Sequence, residues 1–290
     1  MRSGHAAAAL ALFLAACGSG SSQSADHGGD AAHGAQEAHG AGLGPAGAHA
    51  APHAPAGHAP APHAATAGGG DHWTYLNQAA WSTLASTCNA GHEQSPINLS
   101  SAAPQSDLAD LAPHYTAVGG RFVNNGHTLQ FTPEQNNSTL LIGNHAFSFA
   151  QLHFHAPAEH TIDGRAYPAE VHFVHRNGEG RLAVLGVFFT AGEENPALAA
   201  LLASLPTEQG DEHATQLGTL DFASLIPTDH AYFAYAGSLT TPPCSEGVRW
   251  NVLSTPITAS AEQIAALREA LGATSRHVQP VYERTVLLGS

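Results

Sequence analysis

Lysine is missing from this chain altogether, and its nine arginines face 23 acidic residues, a formal net charge of -14 over 290 residues. Such a balance repels phosphate backbones and excludes nucleic acid as a partner. Long apolar runs are missing too. The N-terminal one, within MRSGHAAAALALFLAA, is too short to span a bilayer and reads as a secretory signal over residues 1–16. Between Gly18 and about Gly70 the chain has few large apolar residues and no periodicity, and is mostly Ala, Gly, Pro and His. Such a segment cannot bury enough surface to offset the entropy of ordering, so residues 17–70 read as a disordered tether. Cysteine is scarce: Cys17, Cys88 and Cys244 are all there is.

Leu14, Ala15, Ala16 and Cys17 resemble a bacterial lipoprotein cleavage box, in which the cysteine becomes a lipidated N-terminus. That predicts an exported protein, periplasmic or on the cell surface, whose only membrane contact is a lipid anchor at Cys17; an ordinary signal peptide cut nearby is the alternative. Export leaves Cys88 and Cys244 as an even pair in an oxidising compartment, which predicts a disulfide, with two buried free thiols as the other reading. The tether's recurring histidines, among them His27, His33, His39, His49, His53, His58 and His63, either hold zinc loosely or reflect linker composition.

From Asp71 to the end, aromatics appear and short β-rich runs alternate with turns. RFVNNGHTLQFTP, STLLIGNHAFSFAQLHFH, AEVHFVHR, LAVLGVFFT and VRWNVLST read as strands, while ENPALAALLASL and ASAEQIAALREALG read as helices, with Pro196 in a first turn and Gly272 at a terminus. The pattern predicts one mainly β domain over residues 71–290 with short peripheral helices. In QLHFH, residues two apart share a face, so Gln151, His153 and His155 point one way and Leu152 and Phe154 the other. AEVHFVH places Glu170, His172 and Val174 together by the same parity. If the two runs pair, His172 closes a three-histidine site. Three imidazoles with an open fourth position are the donor set of a catalytic Zn2+ centre. Gln151 and Glu170, each two residues before a candidate ligand and on its face, can hold the ligands' second ring nitrogens.

These runs, with EHTIDG, LAVLGVFF and YAGSLTTPPCSEGVRW, resemble the α-class carbonic anhydrases of bacterial type over about residues 71–290. The resemblance implies a large, twisted, mostly antiparallel central sheet with the metal at the bottom of a conical cavity. It also implies reversible hydration of carbon dioxide to bicarbonate and a proton by a zinc-bound hydroxide. His127, after an Asn-Gly turn, takes the position of the proton shuttle; an exposed turn histidine is its reading without the family. Glu159 and Thr240 take the positions of the pair that orients the nucleophile, with Thr241 beside substrate. Val174, Val184, Val248, Leu239 and Trp250 correspond to the apolar wall that holds carbon dioxide. Tyr75, Asn125 and Gln130 correspond to residues of the solvent network. Where family members carry an asparagine whose backbone carbonyl supports a ligand histidine, this chain has Thr274, which can keep that contact to His155.

Two other functions are weighed. A zinc peptidase would need H-E-x-x-H, which does not occur, and His155 to His160 is one residue too long for the inverted motif and carries Pro157. A non-catalytic zinc-buffering surface lipoprotein would use the tether and need not keep the three histidines, Glu159 and Thr240 together. Whether two copies pair as a homodimer is left open by the sequence.

Overall fold

The computed structural model describes residues 73–135 and 137–289. Cys17, the signal segment and the tether lie outside the described residues. The strands are β1 (Asn98–Leu99), β2 (Leu111–His114), β3 (Val118–Asn124), β4 (Leu129–Pro133), β5 (Thr139–Ile142), β6 (His145–His155), β7 (Thr161–Ile162), β8 (Arg165–Ala166), β9 (Ala169–Arg176), β10 (Leu182–Ala191), β11 (Thr215–Leu220), β12 (Tyr232–Ser238), β13 (Glu246–Leu253), β14 (Ile257–Ala259) and β15 (Leu287–Gly289).

One 12-stranded sheet runs β11-β3-β4-β6-β9-β10-β13-β12-β15, with β14 on β10, β5 on β6 and β2 on β5. β13 and β14 lie parallel to β10, and the central β9 is antiparallel to both of its neighbours, β6 and β10. The expected mainly β architecture, a large and mostly antiparallel sheet with short peripheral helices, is therefore the observed one. QLHFH and AEVHFVH do pair, with His153 opposite His172. They are not a simple hairpin: the chain between them forms β7 and β8, which join β1 in a separate three-stranded sheet.

Both faces of the sheet's centre are buried, which is why β10 reads as a nearly unbroken apolar run, while β9 is buried along almost its whole length despite its Glu and His residues. Phe173, Val171, Leu185, Val187 and Phe189 face a large core shared with the helices, while Val174, Val184, Phe188, Val248 and Trp250 face a second, smaller one. Each of the fully buried phenylalanines contributes roughly 2–3 kcal/mol through burial. The site lies on the smaller core's side.

A bulge decides which way the β6 histidines point. Phe149 pairs with His175 and Gln151 with Val174, so Ala150 is the extra residue. Phe147 and Phe149 fill the large core, and so do Leu152 and Phe154. Without the bulge, strict alternation from Phe149 would turn Gln151, His153 and His155 into that core.

The two longer helices match the expected signals. In Pro196–Leu202 the proline follows Asn195, whose side chain caps the Leu198 amide. Ala261–Leu271 starts at a capping box of Ser260 and Gln263 and stops at Gly272, φ +66°. Short helical turns at Tyr75–Ala80, Trp81–Leu84 and Thr87–Ala90 bring Cys88 to Cys244, and the two form a disulfide. Closing a loop of 156 residues stabilises the fold by about 5 kcal/mol in the loop-entropy picture.

Gly237, on β12, lies where a Cβ would stand 2.2 Å from Ser95 Oγ and 2.7 Å from Trp250 Cδ1. Gly237→Ala should therefore destabilise the fold by about 1–3 kcal/mol. The check is the denaturant midpoint, and an unchanged midpoint would contradict the tight approach.

Candidate metal centre

Three imidazoles meet on β6 and β9. One ring nitrogen from each of His153, His155 and His172 lies within 4.8 Å of the others. The opposite nitrogen is held in every case. Gln151 Oε1 is 2.8 Å from His153 Nδ1, the Thr274 carbonyl is 2.5 Å from His155 Nδ1, and Glu170 Oε1 is 2.8 Å from His172 Nε2. A carbonyl or carboxylate oxygen only accepts, so each held nitrogen carries the proton and the other offers a lone pair. The donor set is thus Nε2 of His153, Nε2 of His155 and Nδ1 of His172.

Burial keeps these rings neutral. Desolvation lowers His153 well below its ordinary pKa, His155 to about 4, and His172 below its ordinary value. Neutral imidazoles are what a metal requires. His155 Nε2 is a buried nitrogen with no hydrogen-bond partner among the described residues. An orphan of this kind would cost on the order of 1–3 kcal/mol unless something binds it. Three convergent lone pairs, one of them orphaned, fit a divalent cation of zinc's type.

Glu170 is enclosed by donors. Its Oε1 takes His172 Nε2 and His160 Nδ1, both at 2.8 Å, and its Oε2 takes the amides of Glu159 and His160, both at 2.9 Å. Burial works to raise its pKa, but His160 and His172 prevail and hold it well below the usual carboxylate range. Room for it comes from Gly186, opposite His172 on β10, where a Cβ would come within 3.0 Å of Glu170 Oε1. His160 continues the chain of contacts: its Nε2 is 2.6 Å from the Tyr235 hydroxyl, which is 2.9 Å from Ser95 Oγ, and Ser95 exchanges hydrogen bonds with Ser238. Sequence reading gave His160 no role. The only cue was its place beside Glu159, because its link from Glu170 to Tyr235 on β12 appears only in the folded chain.

Glu159 is the second buried carboxylate, 3.5 Å from His155 Nε2 through Oε2. The Arg276 amide donates to its Oε1 at 2.9 Å. Desolvation raises its pKa to about 7 against the pull of His172, the Arg276 amide and the Thr240 hydroxyl. Thr240 is itself buried. Thr241, partly exposed, accepts the Cys244 amide at 2.8 Å through its carbonyl, so the disulfide and the Thr240 loop are one local unit.

Val174, Val184 and Trp250 stand directly opposite one another across β9, β10 and β13, two residues from His172, and Leu239 packs on the same cluster. Gln130 is opposite His153 on β4, and its amide reaches Thr132 Oγ1 at 3.0 Å. Asn125 is occupied with the turn: its Oδ1 accepts the amides of His127 and Thr128 at 3.0 and 2.9 Å. His127 is half-buried and stacks on Trp73, with ring centroids 3.8 Å apart and planes 7° from parallel. Tyr75 is buried beside Trp73 and Trp81, and burial followed by the charge of Glu159 raises its hydroxyl well above the ordinary value.

The family model described as "Eukaryotic-type carbonic anhydrase" matches residues 76–289. A carbonic anhydrase from Pectobacterium carotovorum is 40% identical over 226 residues, 74% of this chain and 90% of that protein. One from Klebsiella pneumoniae is 40% identical over 224 residues, with 74% and 90% covered. Among solved structures, the α-carbonic anhydrase from Thermovibrio ammonificans in complex with the inhibitor sulfanilamide superposes with a TM-score of 0.72 at 40% identity, covering 76% of this chain and all of that one.

Replacing Glu170 by Gln removes the charge that His160 and His172 share. Its expected effect is a 10- to 100-fold loss of divalent-metal affinity in a still-folded protein. Competition against a chromophoric chelator reads this, and wild-type affinity in Glu170→Gln would contradict the role given to the carboxylate.

Proposed function

The chain belongs to the eukaryotic-type, α-class carbonic anhydrase family and is a carbonic anhydrase, and from that premise we propose that it hydrates carbon dioxide reversibly with Zn2+ held by His153, His155 and His172. The carrying observation is the convergence of three neutral imidazoles whose opposite nitrogens are already occupied. A bound zinc ion acidifies a coordinated water, the chemistry for which carbonic anhydrase itself is the reference case.

The chain's own residues do the rest. The Thr240 hydroxyl donates a hydrogen bond to the Glu159 carboxylate, which leaves its oxygen only lone pairs with which to receive an O–H from the cavity. That turns the nucleophile toward carbon dioxide. Val174, Val184, Leu239 and Trp250 bind the apolar substrate and exclude water, and Thr241 contacts its oxygens. His127 takes up the released proton on a ring nitrogen and passes it to buffer, as an imidazole can because it both accepts and gives up a proton. Tyr75, Asn125 and Gln130 order the intervening water. Gln151, Glu170 and the Thr274 carbonyl keep the ligand rings in their orientations.

The catalytic domain spans residues 71–290. Ahead of it, a signal of residues 1–16 and a tether of residues 17–70, lipidated at Cys17, place the enzyme in the periplasm or at the cell surface. Support for this is the N-terminal sequence alone, and among the described residues no helix is long and apolar enough to cross a membrane.

Stopped-flow hydration with a pH indicator tests the proposal. Activity should vanish on chelation, return with zinc, and be absent from His155→Ala; a folded, fully metallated but inactive protein would refute it. His127→Ala should lower turnover at least about tenfold in dilute buffer, with imidazole restoring it. Turnover equal to wild type in dilute buffer would remove His127 from the proton path.

A further inference from the structure

The strand-to-strand geometry brings the three imidazoles together, but His155 and Glu159 are also held by a segment more than a hundred residues away. Thr274, Ser275, Arg276 and His277 form a strap along the far side of the 155–159 loop. The Thr274 carbonyl holds His155 Nδ1, and its Oγ1 accepts the Ala156 amide at 3.2 Å. Ser275 Oγ donates to the Pro157 carbonyl, and the Arg276 amide donates to Glu159 Oε1. One short peptide thereby sets both a candidate metal ligand and the carboxylate beside it.

The strap's other side is anchored twice. Arg276 is 4% exposed, and its guanidinium donates to the carbonyls of Cys88 at 2.6 Å and Ser95 at 2.8 Å. The same group lies over the Trp81 ring, 5.6 Å from its centroid. Gln78 grips the strap from outside: Nε2 donates to the Ser275 carbonyl and Oε1 accepts the His277 amide, both at 2.9 Å. A planar guanidinium reaches two carbonyls in fixed directions, whereas an ammonium at the end of a flexible stem does not.

We propose that Arg276 is a positioning residue for the metal centre, and that with Gln78 it couples the N-terminal helical segment to the orientation of His155 and Glu159 through the strap. This rests on the reading of His153, His155 and His172 as the metal site. Loosening the strap frees His155 to rotate and Glu159 to drift, so metal should leave faster and its coordination become less uniform. A merely structural arginine would alter stability without altering either.

The test uses the full chain, freed of loosely held metal by dialysis against a weak chelator. Wild type must first bind zinc with slow release; failure there would sink the metal-site reading, not the strap. Zinc release into excess strong chelator and the visible spectrum of the cobalt-substituted protein are then compared in Arg276→Lys, Arg276→Gln and Gln78→Ala. Second-layer changes of this kind shift metal affinity about 10- to 100-fold. Release should quicken by about tenfold or more in both Arg276 variants, and by a smaller factor in Gln78→Ala, with altered cobalt bands. Tyr115→Phe, which loses a 2.8 Å contact to His175 in the large core, should lower stability and leave zinc release unchanged. If the Arg276 variants do not fold, Gln78→Ala decides alone. Wild-type release and spectrum in every folded variant would overturn the proposal.

Discussion

A metal site made of histidines depends on each ring offering one chosen nitrogen, and a neutral imidazole offers only one. In this protein the choice is made by what sits on the opposite nitrogen: an amide oxygen from Gln151, a backbone carbonyl from Thr274, a carboxylate from Glu170. Two rings use Nε2 and the third uses Nδ1. The remaining architecture serves this arrangement, since β6 and β9 must pair in one register and the C-terminal segment must return to hold His155.

Glu170 shows how a buried charge is tolerated at such a site. Four donors surround its two oxygens, and a glycine on the neighbouring strand leaves it space. A carboxylate stripped of water without such partners would carry a penalty of several kcal/mol. Through His160, Tyr235 and Ser95 the same network reaches Ser238, two residues before Thr240, so the ring held by Glu170 and the start of the Thr240 loop share one buried framework. Arg276 and the disulfide secure that framework from the other end.

Much of this was legible in the sequence because it is local. Alternation in QLHFH and AEVHFVH put the right side chains on one face, and the polar residues two positions earlier proved to be the partners of His153 and His172. The pairing of Cys88 with Cys244 was expected from their even number in a chain whose N-terminus reads as a signal for export. The bulge at Ala150 was written as the change from Phe147 and Phe149 to Leu152 and Phe154, a three-residue step that strand parity alone passes over. His160 and Arg276 were not legible, because a buried polar group declares itself through its partners: His160 joins Glu170 to Tyr235, 75 residues away, and the carbonyl partners of the Arg276 guanidinium lie 181 and 188 residues away. The stacking of Trp73 on His127 likewise comes only with the fold.

The most direct test of this account is the tautomer of each site histidine in the metal-free protein near neutral pH, read by long-range proton–nitrogen correlation NMR. The account predicts neutral rings protonated on Nδ1 in His153 and His155 and on Nε2 in His172, a pattern set before any metal arrives. Charged rings, or His172 protonated on Nδ1, would contradict it.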